Sequence, residues 1–149
     1  MEEAGKAFGP MIQNMWATIG ALANSFNEKY GNDALPIITE VQRESGAAMG
    51  KFAKGMLKSE RLKGMGEMFG MLSVLGFDIK VEELSDDTLH FKLSKCPLCI
   101  ENTSRELCEA LMNSDIVMIG TIAGKEVDME IPKSVAVGDE YCEVIFKTK

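Results

Sequence analysis

The sequence predicts an α+β domain, with a helical N-terminal half and a mixed C-terminal half that contains strands. Apolar residues recur at intervals of three and four up to residue 75, which is typical of amphipathic helices. From residue 77 they alternate with polar residues, which is typical of strands. At 149 residues the chain has the length of one domain, and we expect a single domain over residues 1–149.

The first two helices are predicted from an apolar stripe and from the residues that flank it. Residues 11–30 form the first helix, which begins after Pro10 and ends at Gly31. Asn32 or Asp33 caps the second helix. The stripe of the first helix consists of Met11, Met15, Ile19, Leu22 and Phe26, and that of the second of Leu35, Ile38, Val41, Ala48, Phe52 and Met56.

A third helix is predicted over residues 59–75, with Ser59 as its cap and Gly76 at its end. Glycines are frequent in the second and third helices, although each costs about 1 kcal/mol relative to Ala in a helix interior. Methionines are frequent too, and their flexible side chains suit an adaptable apolar pocket. Two interpretations stay open, close helix–helix approach at the glycines and an apolar ligand pocket. The predicted pocket residues are Met49, Phe52, Met56, Met65, Met68, Phe69 and Leu72.

The C-terminal half is predicted to contain two β-hairpins with a helix between them. FDIKVEEL and HFKLS alternate apolar and polar residues on either side of two aspartates, which predicts the first hairpin. The stretch Thr103-Ser104-Arg105-Glu106 has the form of a capping box, so a helix begins near Ser104. Residues 115–123 are mostly apolar, and periodicity does not decide between helix and strand. A turn at Gly138-Asp139 predicts the second hairpin, within VAVGDEYCEVIF.

Three of the four cysteines lie in the segment KCPLCIENTSRELC, and the fourth lies in the last predicted strand. The C-x2-C spacing suits zinc and also a redox pair. On one straight helix over residues 98–112, Cys99 and Cys108 would lie about 13.5 Å apart along the axis, too far to share an ion. A common site therefore requires a helix break at residues 100–103. The predicted zinc ligands are Cys96, Cys99, Cys108 and Cys142, with an iron–sulfur cluster, a redox pair or buried free thiols as alternatives.

Composition and charge argue against several other roles. The net charge of −7, from 23 acidic and 16 basic residues, disfavours a nucleic-acid partner. The basic residues between Lys51 and Lys63 are better explained as a solvated helix face. The N-terminus lacks a signal-peptide pattern and no apolar run spans a membrane, so we expect a cytoplasmic location. His90 is expected to be an ordinary strand residue, and no catalytic residue is identified.

The span AGKEVDMEIPKSVAVGDEYCEVIF resembles the C-terminal part of 4-vinyl-reductase-type (hydrocarbon-binding) domains, and equally of relatives known as aminothiazoline-carboxylate hydrolases. The segments RESGAAMGKF, LGFDIKVEEL and HFKLSKCPLC fit in the same order, so the resemblance covers about residues 30–147. Such domains are similar in fold to haem nitric-oxide-binding domains and to TRAPP vesicle-tethering subunits. The resemblance implies helices packed on a twisted antiparallel sheet, a hydrophobic small-molecule pocket and a homodimer.

The resemblance also bears on the metal. In the phenol-sensing regulators of this family a zinc is bound by three cysteines and a glutamate near the pocket. Aligned without gaps, the first and last of these ligands fall on Cys108 and Cys142, and the middle two fall on Ile131 and Ser134, which are not adequate ligands. The hydrolase relatives carry a CP turn and a later LC pair, as this chain does, which favours the four-cysteine site. Three alternatives follow for the missing ligands: Cys96 and Cys99 replace them, Glu130 takes part instead, or the site is lost in this chain.

Two functions from different classes follow from these observations. The first is a cytosolic sensor or regulatory domain that binds a small apolar or aromatic molecule and carries a structural zinc. The second is a hydrolase that opens a C–N or C–S bond of a small sulfur heterocycle, with a cysteine thiolate or a metal-bound water. An iron–sulfur protein is a third alternative. We expect a homodimer, with neither nucleic acid nor membrane as a partner.

Overall fold

A computed structural model describes residues 2–149 as five α-helices packed on a four-stranded antiparallel sheet, which confirms the predicted α+β class. The helices are α1 (Glu2–Tyr30), α2 (Ala34–Met56), α3 (Gly64–Val74), α4 (Arg105–Leu111) and α5 (Asn113–Ala123). The strands are β1 (Ile79–Leu84), β2 (Thr88–Leu93), β3 (Val127–Lys133) and β4 (Cys142–Thr148), in the spatial order β1-β2-β4-β3.

Helix α1 begins earlier than the sequence predicted, because Pro10 lies inside it rather than before it. Glycines form its inward face. Gly5 and Gly9 pack on the C-terminal end of α3, and a Cβ atom on Gly9 would lie 2.6 Å from the carbonyl oxygen of Leu75. This close tertiary contact holds the first turns of the helix, so α1 tolerates a proline that normally occurs only at a helix start.

Four of the five residues of the predicted apolar stripe of α1 face away from the core, and only Phe26 packs against it. Met11 is 54% exposed and Leu22 is 67% exposed, while glycines take inward positions. In α2 the start of the stripe faces the core, because Ile38 is buried, whereas Phe52 near its end is 71% exposed. None of the helices in the described part of the chain has the length and hydropathy of a membrane span.

Helices α2 and α5 run close together because α2 carries glycines at their contact. The backbone of Gly46 lies directly on the backbone of Ser114, and a Cβ atom on Gly50 would lie 2.7 Å from the Cβ atom of Thr121. Gly55, in contrast, faces open space. Close helix–helix approach is therefore confirmed as the reason for two of the glycines.

The start of α3 differs from the prediction. Residues 61–63 form a short 3-10 turn, and Ser59 does not cap the helix. The Glu67 carboxylate accepts hydrogen bonds from the backbone N–H groups of Lys58 (3.1 Å) and Ser59 (2.6 Å). These two bonds hold the segment before α3 in a turn, which delays the helix to Gly64.

The sheet confirms the first predicted hairpin and corrects the second. Strands β1 and β2 are joined by a turn in which Ser85 Oγ accepts the N–H of Thr88 (3.0 Å). Residues 135–137, predicted as part of a strand, form a 3-10 turn that ends at Gly138 in the left-handed region. The ambiguous segment at 115–123 lies in α5. It packs along α2 and against β3 and β4, and these are tertiary contacts that local periodicity does not reveal.

The buried side chains form two separate clusters. One joins α3, α5 and the sheet and includes Met65, Ile119 and Phe146. The other joins α4, the start of α2 and the cysteine-rich loop. Met112 and Ile131 pack against both clusters and are themselves only partly buried. These two side chains therefore connect the two clusters.

Candidate functional site

The cysteine-rich segment between β2 and α4 is a loop, as the metal hypothesis required. Cys99 has a φ of 51° and Asn102 a φ of 56°, both in the left-handed region, so the backbone reverses direction there. The side chain of Ser104 then accepts the N–H of Leu107 (3.1 Å) and caps α4, which begins at Arg105. The predicted break at residues 100–103 is confirmed.

This loop brings Cys96 towards two cysteines that are distant in sequence. Cys108 in α4 and Cys142 in β4 are buried, and Cys96 is half-buried beside them. Ser134 Oγ donates to Cys108 Sγ (3.5 Å), and the N–H of Val135 donates to Cys142 Sγ (3.4 Å). One turn between β3 and β4 therefore contacts both buried sulfurs.

The environment of the three sulfurs keeps them protonated in the absence of a metal. Burial is the main cause that raises the pKa of the Cys96, Cys108 and Cys142 thiols above the usual value. Each thiolate would also repel the negative charge on a neighbouring one. Hydrogen bonds from the backbone N–H groups of Ile100 and Leu98 have the opposite effect and lower the pKa of the Cys96 thiol. N–H and O–H donors aimed at sulfur suit a metal thiolate, so the chemistry of these donors fits a soft metal.

The structure does not assemble the four-cysteine set that the sequence predicted. Cys99 is exposed, whereas Cys96, Cys108 and Cys142 are near one another without forming a compact group. Within residues 2–149 no three side chains of His, Cys, Asp or Glu lie close enough to bind one ion. Glu130, the other candidate ligand, lies in β3 and is exposed. The zinc site therefore stays a prediction.

His90 lies on the opposite face of the sheet from the cysteines. Its Nε2 is 2.7 Å from Oε1 of Glu143, while its strand neighbours Leu89 and Phe91 point into the core. Cys142, next to Glu143 in β4, points to the core side. The imidazole thus lies too far round the sheet to deprotonate the buried thiol of Cys142, and its partner is Glu143.

The structure divides the predicted ligand-pocket residues into two groups. Met65 and Phe69 are buried in the first core cluster, and Met68 and Leu72 pack against it. The remaining three residues lie on the outer face of α2 and are exposed by at least 41%. They are Met49, Phe52 and Met56. These seven side chains do not surround one space, and the pocket composition stays a prediction.

A surface groove of about 780 Å³ lies between α2 and α4, and it is largely open to solvent. Four carboxylates line it together with Arg43, which donates a hydrogen bond to Asn113 (3.1 Å). The four are Glu40, Glu44, Glu106 and Glu109. Because the groove is open to solvent, it would bury only part of a hydrophobic molecule.

Asp115 is the functional candidate that the sequence analysis missed. It lies in the first turn of α5, among buried neighbours on the inward face of the helix, and burial raises its pKa from 3.8 to about 6. The residue nevertheless keeps partial solvent exposure. A detectable signal was present, because Asp115 is the one charged residue in the apolar run from 115 to 123. A perturbed carboxyl in a protein interior is a candidate binding group.

The helices over a four-stranded antiparallel sheet define a class of domain that recurs in known structures. The fold is similar to the phenol-responsive sensory domain of the transcription activator PoxR with phenol, at 17% identity and a TM-score of 0.65, over 89% of this chain and 74% of that one. It is also similar to a trafficking protein particle complex subunit 3 from Naegleria fowleri covalently bound to palmitic acid. There the identity is 16% and the TM-score 0.57, over 92% of this chain and 94% of that one.

The sequence itself assigns the family. Residues 11–146 match the L-2-amino-thiazoline-4-carboxylic acid hydrolase family, and the chain belongs to it. Both similar structures lie below 25% identity, so they establish the shared fold. No curated protein sequence matches significantly. The predicted resemblance to this family, and to the phenol-sensing and TRAPP folds, is confirmed.

Proposed function

We propose that this domain binds a small, largely apolar molecule in its interior and serves as a sensor or regulatory module. The fold carries the proposal, because two proteins with the same arrangement of helices and sheet were crystallised with phenol and with palmitic acid. Both ligands have a mainly hydrocarbon surface. A fold that accommodates such different apolar molecules offers an interior that adapts to its occupant.

The boundary between the two core clusters is the place we propose for the ligand. Met112 and Ile131 contact both clusters, and both retain solvent exposure. Side chains that join two clusters and still contact solvent leave apolar surface for a ligand to bury. Asp115 lies one helical turn after Met112. An apolar ligand bound at this junction would bury the exposed surface of Met112 and Ile131.

Calorimetric titration with phenol and with palmitate tests the proposal. We expect the wild type to bind at least one of them, and Met112→Trp to abolish that binding because the larger side chain fills the junction. Val137→Trp is the matched control, since Val137 is 48% exposed on the turn before β4. Circular dichroism establishes that each variant is folded, and Met112→Phe replaces a variant that is not. Absence of binding by the wild type, or unchanged binding by a folded Met112 variant, would contradict the proposal.

A structural zinc on the cysteines is a finer part of this proposal. The N–H and O–H donors aimed at Cys96, Cys108 and Cys142 support it, while the lack of a compact ligand group among residues 2–149 opposes it. Metal analysis of anaerobically purified protein decides the matter. One zinc per chain is the expected result, a coloured iron–sulfur species would support the alternative cluster, and metal-free protein would exclude both.

We also propose that a second copy of the chain covers the outer faces of α1 and α2. Ten large apolar side chains there are at least 41% exposed. At roughly 150 Å² for each full side chain, they expose on the order of 800 Å², which matches one side of a standard interface. The ten are Phe8, Met11, Met15, Ile19, Leu22, Ile37, Val41, Met49, Phe52 and Met56.

Light scattering after size exclusion tests the second-copy proposal. The wild type should run as a dimer, because a monomer rarely leaves so large an apolar patch in water. Phe52→Asp should shift it to a monomer, since the new charge would be buried at the interface. Val137→Asp, which adds the same charge at an exposed valine outside this face, should remain dimeric. A wild-type monomer at micromolar concentration would overturn the proposal.

Hydrolysis of a small sulfur heterocycle is the second candidate function, and the family match favours it. Against it, the thiols have a raised pKa and His90 lies on the other face of the sheet. Activity on L-2-amino-thiazoline-4-carboxylic acid, compared between the wild type and Cys108→Ala, separates the functions. Turnover that disappears while the fold persists would establish the enzyme, and inactive wild-type protein would leave the binding module as the function.

A further inference from the structure

Asp115 occupies the centre of the inward face of α5. The residues one turn before it and one or two turns after it on that face are all buried. They are Leu111, Met118, Ile119 and Ile122. Positions separated by three, four or seven residues share one side of a helix. The carboxylate therefore projects from the middle of an apolar surface, where a structural role alone would favour a hydrocarbon side chain.

The partners of the carboxylate are few and weak. Its Oδ2 lies 3.3 Å from Ser114 Oγ, which also donates to the carbonyl oxygen of Leu111 (3.1 Å). The other stabilising contact is with its own backbone N–H. No lysine, arginine or histidine among residues 2–149 pairs with it or shifts its titration. A buried carboxylate is normally paired with a cation, so this one lacks its usual partner.

Helix capping does not explain the residue. The chain passes from α4 to α5 through Met112 with little interruption, and Met112 is the N-cap of α5. The N–H groups of Asp115 and Ile116 already donate to the carbonyl oxygen of Met112, at 3.0 and 3.1 Å. The backbone donors at this helix start are thus largely satisfied without the carboxylate.

The position of Asp115 connects it to the proposed ligand site. It follows Met112 by one turn, and Met112 is one of the two residues that contact both core clusters. Asp115 lies on the inward face of α5 and still retains exposed surface. A ligand between the two clusters would lie within about one helical turn of this carboxylate. The following inference therefore rests on the proposed small-molecule site.

We infer that Asp115 is the recognition group for a cationic ligand, a small apolar molecule that carries one protonated amine or amidine. The N–H donors of such a group would form charge-assisted hydrogen bonds with the carboxylate while the hydrocarbon part fills the junction between the two clusters. Charge pairs gain strength where water is excluded, which makes a single interior carboxylate an effective selector. A neutral hydrocarbon would leave it unpaired.

Three ligands with one skeleton test this inference, namely benzylamine, benzyl alcohol and toluene. We expect the wild type to bind benzylamine about tenfold or more tightly than the two neutral compounds, because a hydrogen bond between charged groups contributes about 1.5–3 kcal/mol. Asp115→Asn keeps the shape and the contact with Ser114, and it should lose that preference while toluene affinity changes less than about threefold. Glu140→Gln removes one exposed carboxylate and should preserve the preference.

The outcomes separate this inference from the proposed function. If benzyl alcohol and toluene bind but benzylamine has no advantage, the assignment of Asp115 is overturned and the ligand site stands. If Asp115→Asn prefers benzylamine as the wild type does, the assignment is likewise overturned. If none of the three compounds binds and phenol and palmitate also fail, the proposed function itself is wrong.

Discussion

Ser134 Oγ lies 3.5 Å from Cys108 Sγ and connects the turn before β4 to helix α4, 26 residues away in sequence. The same hydroxyl accepts the N–H of Ala136 (3.2 Å), and the N–H of Ser134 donates to Asp139 Oδ2 (2.8 Å). Ser134 is completely buried. It therefore links the helical layer to the sheet at the point where three of the four cysteines gather.

Replacement of this hydroxyl tests how much the link contributes. We expect Ser134→Ala to lower the free energy of unfolding by about 1–3 kcal/mol, because it leaves the buried N–H of Ala136 without an acceptor. Urea denaturation measures the change. Ser45→Ala, at an exposed position of α2, should alter stability by less than about 0.5 kcal/mol. Equal effects of the two substitutions would show that the link is not stabilising.

The glycines of α2 provide a matched pair. Gly46→Ala should destabilise the protein by about 1–3 kcal/mol, because the added Cβ meets the backbone of Ser114, which cannot yield as a side chain would. Gly55→Ala adds a methyl group in open space and should stabilise the helix by about 0.5–1 kcal/mol. Thermal or chemical unfolding compares them. Stabilisation by both substitutions would contradict the close contact of α2 and α5.

Asp115 predicts a specific pH dependence of stability. Burial raises its pKa from 3.8 to about 6, so the folded protein binds this proton more tightly than the unfolded chain does. Its contribution to folding is therefore neutral below about pH 4, becomes unfavourable as the pH rises to 6, and stays so above that. We expect Asp115→Asn to be more stable than the wild type by about 2–3 kcal/mol at pH 7.5, and by almost nothing at pH 3.5.

Urea titrations at several pH values measure this difference. Glu140→Gln, which removes an exposed carboxylate, is the control and should follow the wild type at each pH. If the difference in the free energy of unfolding between Asp115→Asn and the wild type is the same at pH 3.5 and at pH 7.5, the carboxyl titrates as it does in water.

The cysteines should differ in reactivity. Cys99 is exposed, whereas Cys108 and Cys142 are buried and burial raises the pKa of both thiols. Because the thiolate is the reactive form, iodoacetamide should label the native protein first at Cys99. Peptide mass spectrometry identifies the site, and Cys99→Ala should remove the fast phase. Rapid native labelling of Cys108 would show that α4 does not bury its thiol as described.

Local chemistry in the sequence was sufficient for several elements. Ser104 begins α4 because its hydroxyl satisfies a free backbone N–H, and Gly138 ends a turn because its backbone is left-handed. The first hairpin follows from alternation and from a polar turn. The family likeness was also visible in short segments of the chain. Each of these signals depends on residues only a few positions apart.

Only the tertiary structure decided which surfaces face inward and which side chains meet. Helix α1 buries Gly9 and exposes Met11, because close backbone contact with α3 excludes larger residues from that side. Cys96 approaches Cys142 through the pairing of β2 with β4, a contact between distant segments. Asp115 lies on an inward helix face because α5 packs on the sheet and on α2. Periodicity along one helix specifies an apolar side, whereas burial depends on which neighbouring element that side meets.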